Sequence, residues 1–133
     1  MQSMLAAYVA AAFVMAGLDL AWLSRMGDTF YRANLAAVMA SKANVPAAIA
    51  FYLLYIVGIV IFGVRPALAT GSWQSALIGG ALFGFFCYMT YDLTNLATLK
   101  SWSMKVTLID IGWGCFVTSL SAVAGYWAGL ATR

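Results

Sequence analysis

Aspartates at positions 19, 92 and 110 stand inside long apolar stretches of a chain that has four acidic residues in all, no glutamate and no histidine. A carboxylate in such a setting can hold a proton, a cation or a hydrogen-bond donor. Leaving it unpaired at the centre of a membrane helix costs roughly 2.5 to 3.5 kcal/mol. Around Asp92, the run Thr90-Tyr91-Asp92-Leu93-Thr94-Asn95-Leu96-Ala97-Thr98 adds hydroxyls and an amide. Tyr88, Asp92 and Asn95 follow at four and then three residues, so a helix sets them on one face, widened by Tyr91, Thr94 and Thr98. Trp113 lies three residues after Asp110, and Thr107 lies a turn before it. Asp19, Tyr88, Asp92, Asn95, Asp110 and Trp113 are therefore the candidate residues for binding a ligand or a proton.

The elements that must carry these groups are membrane helices. Of the 133 residues, 65% are hydrophobic and 8% charged, whereas soluble domains are about half apolar and a quarter charged. Four runs, Met4–Leu23, Pro46–Val64, Trp73–Thr98 and Met104–Leu130, approach or exceed the about 20 residues that span a hydrocarbon core. The expected fold is all-α: a polytopic membrane protein with four transmembrane helices in one compact bundle, a single domain over residues 1–133. Met-Gln-Ser-Met lacks the basic leader of a signal peptide, so the first run is expected to be a retained span.

Charge gives the bundle an orientation. Arg25, Arg32 and Lys42 fall between spans one and two, and Lys100 and Lys105 around the turn between spans three and four; Arg65 and Arg133 lie at the opposite end. The positive-inside rule then places the basic loops in the cytoplasm and both termini outside. For a bacterial chain this means the inner membrane with periplasmic termini. Measured at 1.5 Å per residue from Arg25, Lys100 and Lys105, the three acids lie roughly 9, 12 and 7.5 Å deep, within about one helical turn of each other. A polar pocket open to the cytoplasm is expected, with Arg25, Lys100 and Lys105 as charge partners.

Between Arg25 and Val45 a short interfacial helix is expected, capped by Asp28 or Thr29, with Tyr31, Leu35, Val38 and Met39 on its apolar face. Asn44 and Pro46 mark the start of span two, Arg65-Pro66 its end, and Thr70-Gly71-Ser72 the following turn. Ala76, Gly80 and Gly84, and again Gly125 and Gly129, form small-residue stripes that admit a close neighbour within the chain or from another protomer. An Asp-Leu-x-x-Leu pattern recurs at Asp19 and Asp92.

Several function classes lack equipment. Nucleotide-binding loops, a serine nucleophile elbow and paired Cys-x-x-Cys are missing. Cys87 and Cys115 sit in spans with no partner at ligand spacing, so no metal site is expected; no cofactor is indicated, and no basic run is dense enough for nucleic acid.

Asp19-Leu20-Ala21-Trp22-Leu23, Phe30-Tyr31, Phe51-Tyr52-Leu53-Leu54-Tyr55 with Gly58 and Phe62, Pro66-Ala67-Leu68, the run around Asp92, and Asp110-Ile111-Gly112-Trp113-Gly114 together resemble the bacterial membrane family known as domain of unknown function 2177. The likeness covers nearly the whole chain and implies a four-span membrane protein. It implies no activity and assigns no catalytic residue.

Three functions fit these residues. One is binding or transport of a small molecule, lipid or proton at the Asp/Asn cluster. Another is an accessory or assembly subunit of a larger membrane complex, in which the acids serve as interhelical hydrogen-bonding groups. The third is a lipid-modifying enzyme with Asp92 and Asp110 as acid and base, bordered by Trp22, Trp102 and Trp113. Membrane lipids are the expected surroundings, and a homodimer or a larger complex the expected assembly.

Overall fold

The computed structural model describes residues Met1–Arg133, and all of its regular structure is helical. Four long helices follow the four apolar runs: α1 Gln2–Leu35, α2 Val45–Thr70, α3 Trp73–Thr98 and α4 Met104–Ala131. Side-chain caps fix three of the starts. Asn44, Ser72 and Ser103 each accept a hydrogen bond from the backbone N–H three residues on, at Ala47, Ser75 and Val106. Gly71, at φ 68°, takes the left-handed conformation that ends α2 and lets the chain reverse.

The most heavily buried helix is α4, which packs along its length between α1 and α3. Small residues allow this. A Cβ at Gly80 would lie 2.8 Å from the Thr118 carbonyl oxygen, and one at Gly84 would run into the Gly114 carbonyl. On the other flank, a Cβ at Gly125 would lie 3.0 Å from the Ala7 carbonyl oxygen and one at Gly129 3.2 Å from that of Ser3. Both stripes therefore serve packing inside the chain, where dispersion and close backbone approach replace the missing hydrophobic drive between membrane helices. Met15, Ile59, Val64 and Val117 fill the space between them.

Outward faces are apolar. Phe13, Leu20 and Leu54 are 78%, 71% and 73% exposed, a coat that lipid solvates and water does not.

Helix α2 runs four residues beyond Pro66 to Thr70, past the end expected at Arg65-Pro66. Proline cannot donate to the carbonyl one turn back and crowds it. A π-helical stretch, Ile59–Val64, stands immediately before the turn that carries Pro66. Gly79 of α3 comes close to the Phe62 carbonyl at this point: a Cβ there would lie 3.0 Å from the oxygen. This middle stretch holds α2 against α3 and α4, while in its first half, Val45–Gly58, the backbone stands off from α3 and the Tyr55 ring bridges to Phe83 and Tyr88.

The segment expected to form a separate interfacial helix is helical from Gly27 to Leu35, but as a continuation of α1 through a π-helical turn, Gly27–Arg32. Asp28 and Thr29 do not cap it. Asp28 pairs with Arg32 at 3.0 Å, and the Thr29 hydroxyl donates to the Arg25 carbonyl, so neither side chain competes for a free helix N-terminus. Leu35 is buried, whereas Val38 and Met39 lie exposed beyond the helix end.

Candidate functional site

The three intramembrane acids meet around α4, in two different environments. Asp19, 5% exposed on α1, accepts from the Tyr52 hydroxyl of α2 and from the Trp113 indole of α4, both at 2.8 Å. Each carboxylate oxygen thus has a neutral donor, and one side chain ties three helices together. The Trp113 ring stacks on Trp22 of α1 with centroids 4.2 Å apart and planes 10° from parallel.

Asp110 and Asp92 form the second environment. The π-helical turn at the end of α1 folds Tyr31 toward α4, where its hydroxyl donates to Asp110. The same hydroxyl accepts from the Trp22 indole at 2.9 Å. Asp92 of α3 lies beside Asp110, and the two carboxyl groups act on each other. Asp92 is fully buried, and neither of its carboxyl oxygens receives a hydrogen bond. Two ionised carboxylates only accept, so they can bond to each other only when one holds a proton.

No basic side chain compensates this pair. The ion pair between Arg32 and Asp28, on the surface, is the only one in the structure. Arg25 and Lys100 are exposed, and Lys105 lies over the Phe30 ring, 5.8 Å from its centroid. The expected charge partners thus stay outside the cluster, because their helical positions turn them to the surface at the basic end of the bundle.

A cavity of about 780 Å³ leads to Asp110. Phe51, Tyr55 and Phe62 of α2 form one wall; Phe83, Phe86, Tyr88 and Tyr91 of α3 form the other, and Asp110 of α4 also lines it. The cavity thus lies between α2 and α3. At the basic end Phe30, Leu35 and Val106, with Tyr31 and Trp102 against them, pack into a separate apolar plug.

Of the residues singled out from sequence, Asp19 and Trp113 are hydrogen-bonded to each other, and Asp92 and Asp110 are neighbours. Tyr88 packs its ring against Gly114 and Tyr55 and lines the cavity without bonding to an acid. Asn95 lies a turn nearer the basic end, beside Tyr91, and does not join the acids. Sequence reasoning gave Tyr31 to an interfacial helix face and did not count Tyr52 among the candidate site residues, yet both hydroxyls donate to acids. Their presence in the quoted Phe30-Tyr31 and Phe51-Tyr52 pairs was the available signal.

Four apolar spans around buried carboxylates define a multi-pass helical membrane protein. Residues 4–127 match the model of a family described as predicted membrane protein, domain of unknown function 2177, and the chain belongs to that family. No curated protein and no solved structure matches it.

Proposed function

We propose that this protein binds a small ligand or a proton within the membrane at Asp110 and Asp92, reached through the cavity between α2 and α3. The observation that carries the reading is the buried Asp92 carboxyl, without a hydrogen bond and facing Asp110. Structural carboxylates are satisfied in place, as Asp19 is by Tyr52 and Trp113. A site kept short of donors and counter-charge, beside a cavity in the size range of small-molecule pockets, is one that an occupant completes. The proposed setting is a bacterial inner membrane with both termini in the periplasm, supported by the five basic residues at one end against two at the other.

An apolar carbodiimide, which reacts with protonated carboxyl groups in non-aqueous surroundings, tests this reading. Dicyclohexylcarbodiimide is expected to modify Asp110, which lines the cavity, and to spare Asp19, whose oxygens are both engaged. Peptide mapping by mass spectrometry reads the outcome. Absence of label on Asp110 in a folded sample, or equal label on Asp19, would sink the assignment.

A further inference from the structure

The walls and floor of the cavity restrict what can occupy it. Aromatic faces line both sides, from Phe51 and Phe62 on α2 to Phe83, Phe86 and Tyr91 on α3. The acidic group among its lining residues is Asp110, and no lysine or arginine lines it. Behind Asp110, Asp92 adds a second carboxyl with no partner. An occupant must therefore bring positive charge to the acids while presenting apolar surface to the aromatic rings, which also attract cations through their π faces.

Resting on the site reading above, we propose that the ligand is an amphiphilic organic cation: a weakly hydrated ammonium, or a comparable delocalised cation, attached to aromatic or alkyl groups. It reaches Asp110 sideways from the lipid, between the first half of α2 and the facing part of α3. A phospholipid headgroup is a poorer fit, even one carrying an amine. Its phosphate would come close to Asp110 and Asp92, and the cavity offers no basic side chain to receive it. A hydrophobic anion is repelled for the same reason. The volume of about 780 Å³ suits a small drug-sized molecule and leaves room for little more.

The test uses the intact 133-residue chain in nanodiscs of phosphatidylcholine, with protein-free nanodiscs as the blank for partitioning into lipid. Tetraphenylphosphonium is the probe, and tetraphenylborate, of the same shape and opposite charge, is the control. Saturable binding of the cation and none of the anion is expected. Asp110→Asn and Asp92→Asn should each weaken cation binding by roughly 30-fold or more. Asp28→Asn, at the surface pair with Arg32, should leave it unchanged.

A second measurement needs no variant. Increasing cation should protect Asp110 of the unaltered protein from the carbodiimide, and the borate should not. If Asp110 is labelled but the cation neither binds saturably nor protects, the cation assignment is wrong while the intramembrane site stands. If Asp110 is not labelled at all, the site reading itself fails. Equal binding of the borate overturns the proposal. So does a phospholipid or a partner subunit that stays in the cavity throughout the cation titration.

Discussion

Asp19 accepts two hydrogen bonds from groups on two other helices, so its role can be measured donor by donor. Tyr52→Phe and Trp113→Phe each remove one donor while keeping most of the ring packing. Hydrogen bonds between membrane helices average about 0.6 kcal/mol and reach about 1.7 kcal/mol. Each substitution is expected to lower stability by an amount in that range in a reversible unfolding titration. The double variant should lose more than the sum, because it leaves a buried carboxylate with no donor. A strictly additive loss would show that water or another group replaces the missing donors. Tyr31→Phe tests the other acid: it removes the donor to Asp110 and the acceptor for Trp22. The expected result is a changed near-ultraviolet circular dichroism signal from the Trp22–Trp113 stack. An unchanged spectrum would argue that Tyr31 does not position the pair.

At the level of the helix, glycines divide by what surrounds them. Gly84 sits where α3 crosses α4 so closely that any Cβ would overlap the Gly114 carbonyl, whereas Gly17 on α1 has open space around it. Gly84→Val should force the two helices apart at a cost of about 1–3 kcal/mol or more, since a rigid backbone atom has to move. Gly17→Ala should be neutral or slightly stabilising, because alanine costs less in a helix than glycine. Thermal unfolding in one detergent compares them directly, and equal effects would contradict the packing. The π-helical stretches repay the same kind of attention. One carries α2 past Pro66, and the other turns Tyr31 of α1 toward Asp110. Helical periodicity at 3.6 residues cannot foretell either, because a π turn shifts the face that each later residue presents.

Across the whole molecule, four helices joined by short connections return the chain to the side where it began. Single cysteines placed near Met1 and Arg133 are expected to react with a membrane-impermeant thiol reagent from one side, and single cysteines at Lys42 and Lys100 from the other. For these experiments Cys87 and Cys115, both half-buried in spans, are first replaced. Labelling of one terminus from each side would refute the four-span path. With the proposed orientation the termini react from the periplasm, and reaction from the cytoplasm would reverse it. The path of the chain also accounts for the cavity between α2 and α3. Helices α2 and α3 are joined by the tight turn at Gly71 and held together near the π-helical middle of α2, so they diverge away from that turn.

Sequence alone determined the class of fold. Apolar run length depends only on composition, so the four spans could be read directly from the order of residues. The start signal at Asn44 and the turn at Gly71 were legible for a similar reason: their chemistry is local. Tertiary structure decided which acid is satisfied and which is left short. Asp19 and Asp92 share an Asp-Leu-x-x-Leu pattern and a span direction, yet Asp19 meets Tyr52 and Trp113 while Asp92 meets another carboxyl. That difference rests on the rotation of each helix about its axis, a quantity fixed by side-chain packing across the bundle. The cavity is likewise tertiary, because it depends on where the backbones of α2 and α3 approach and where they part.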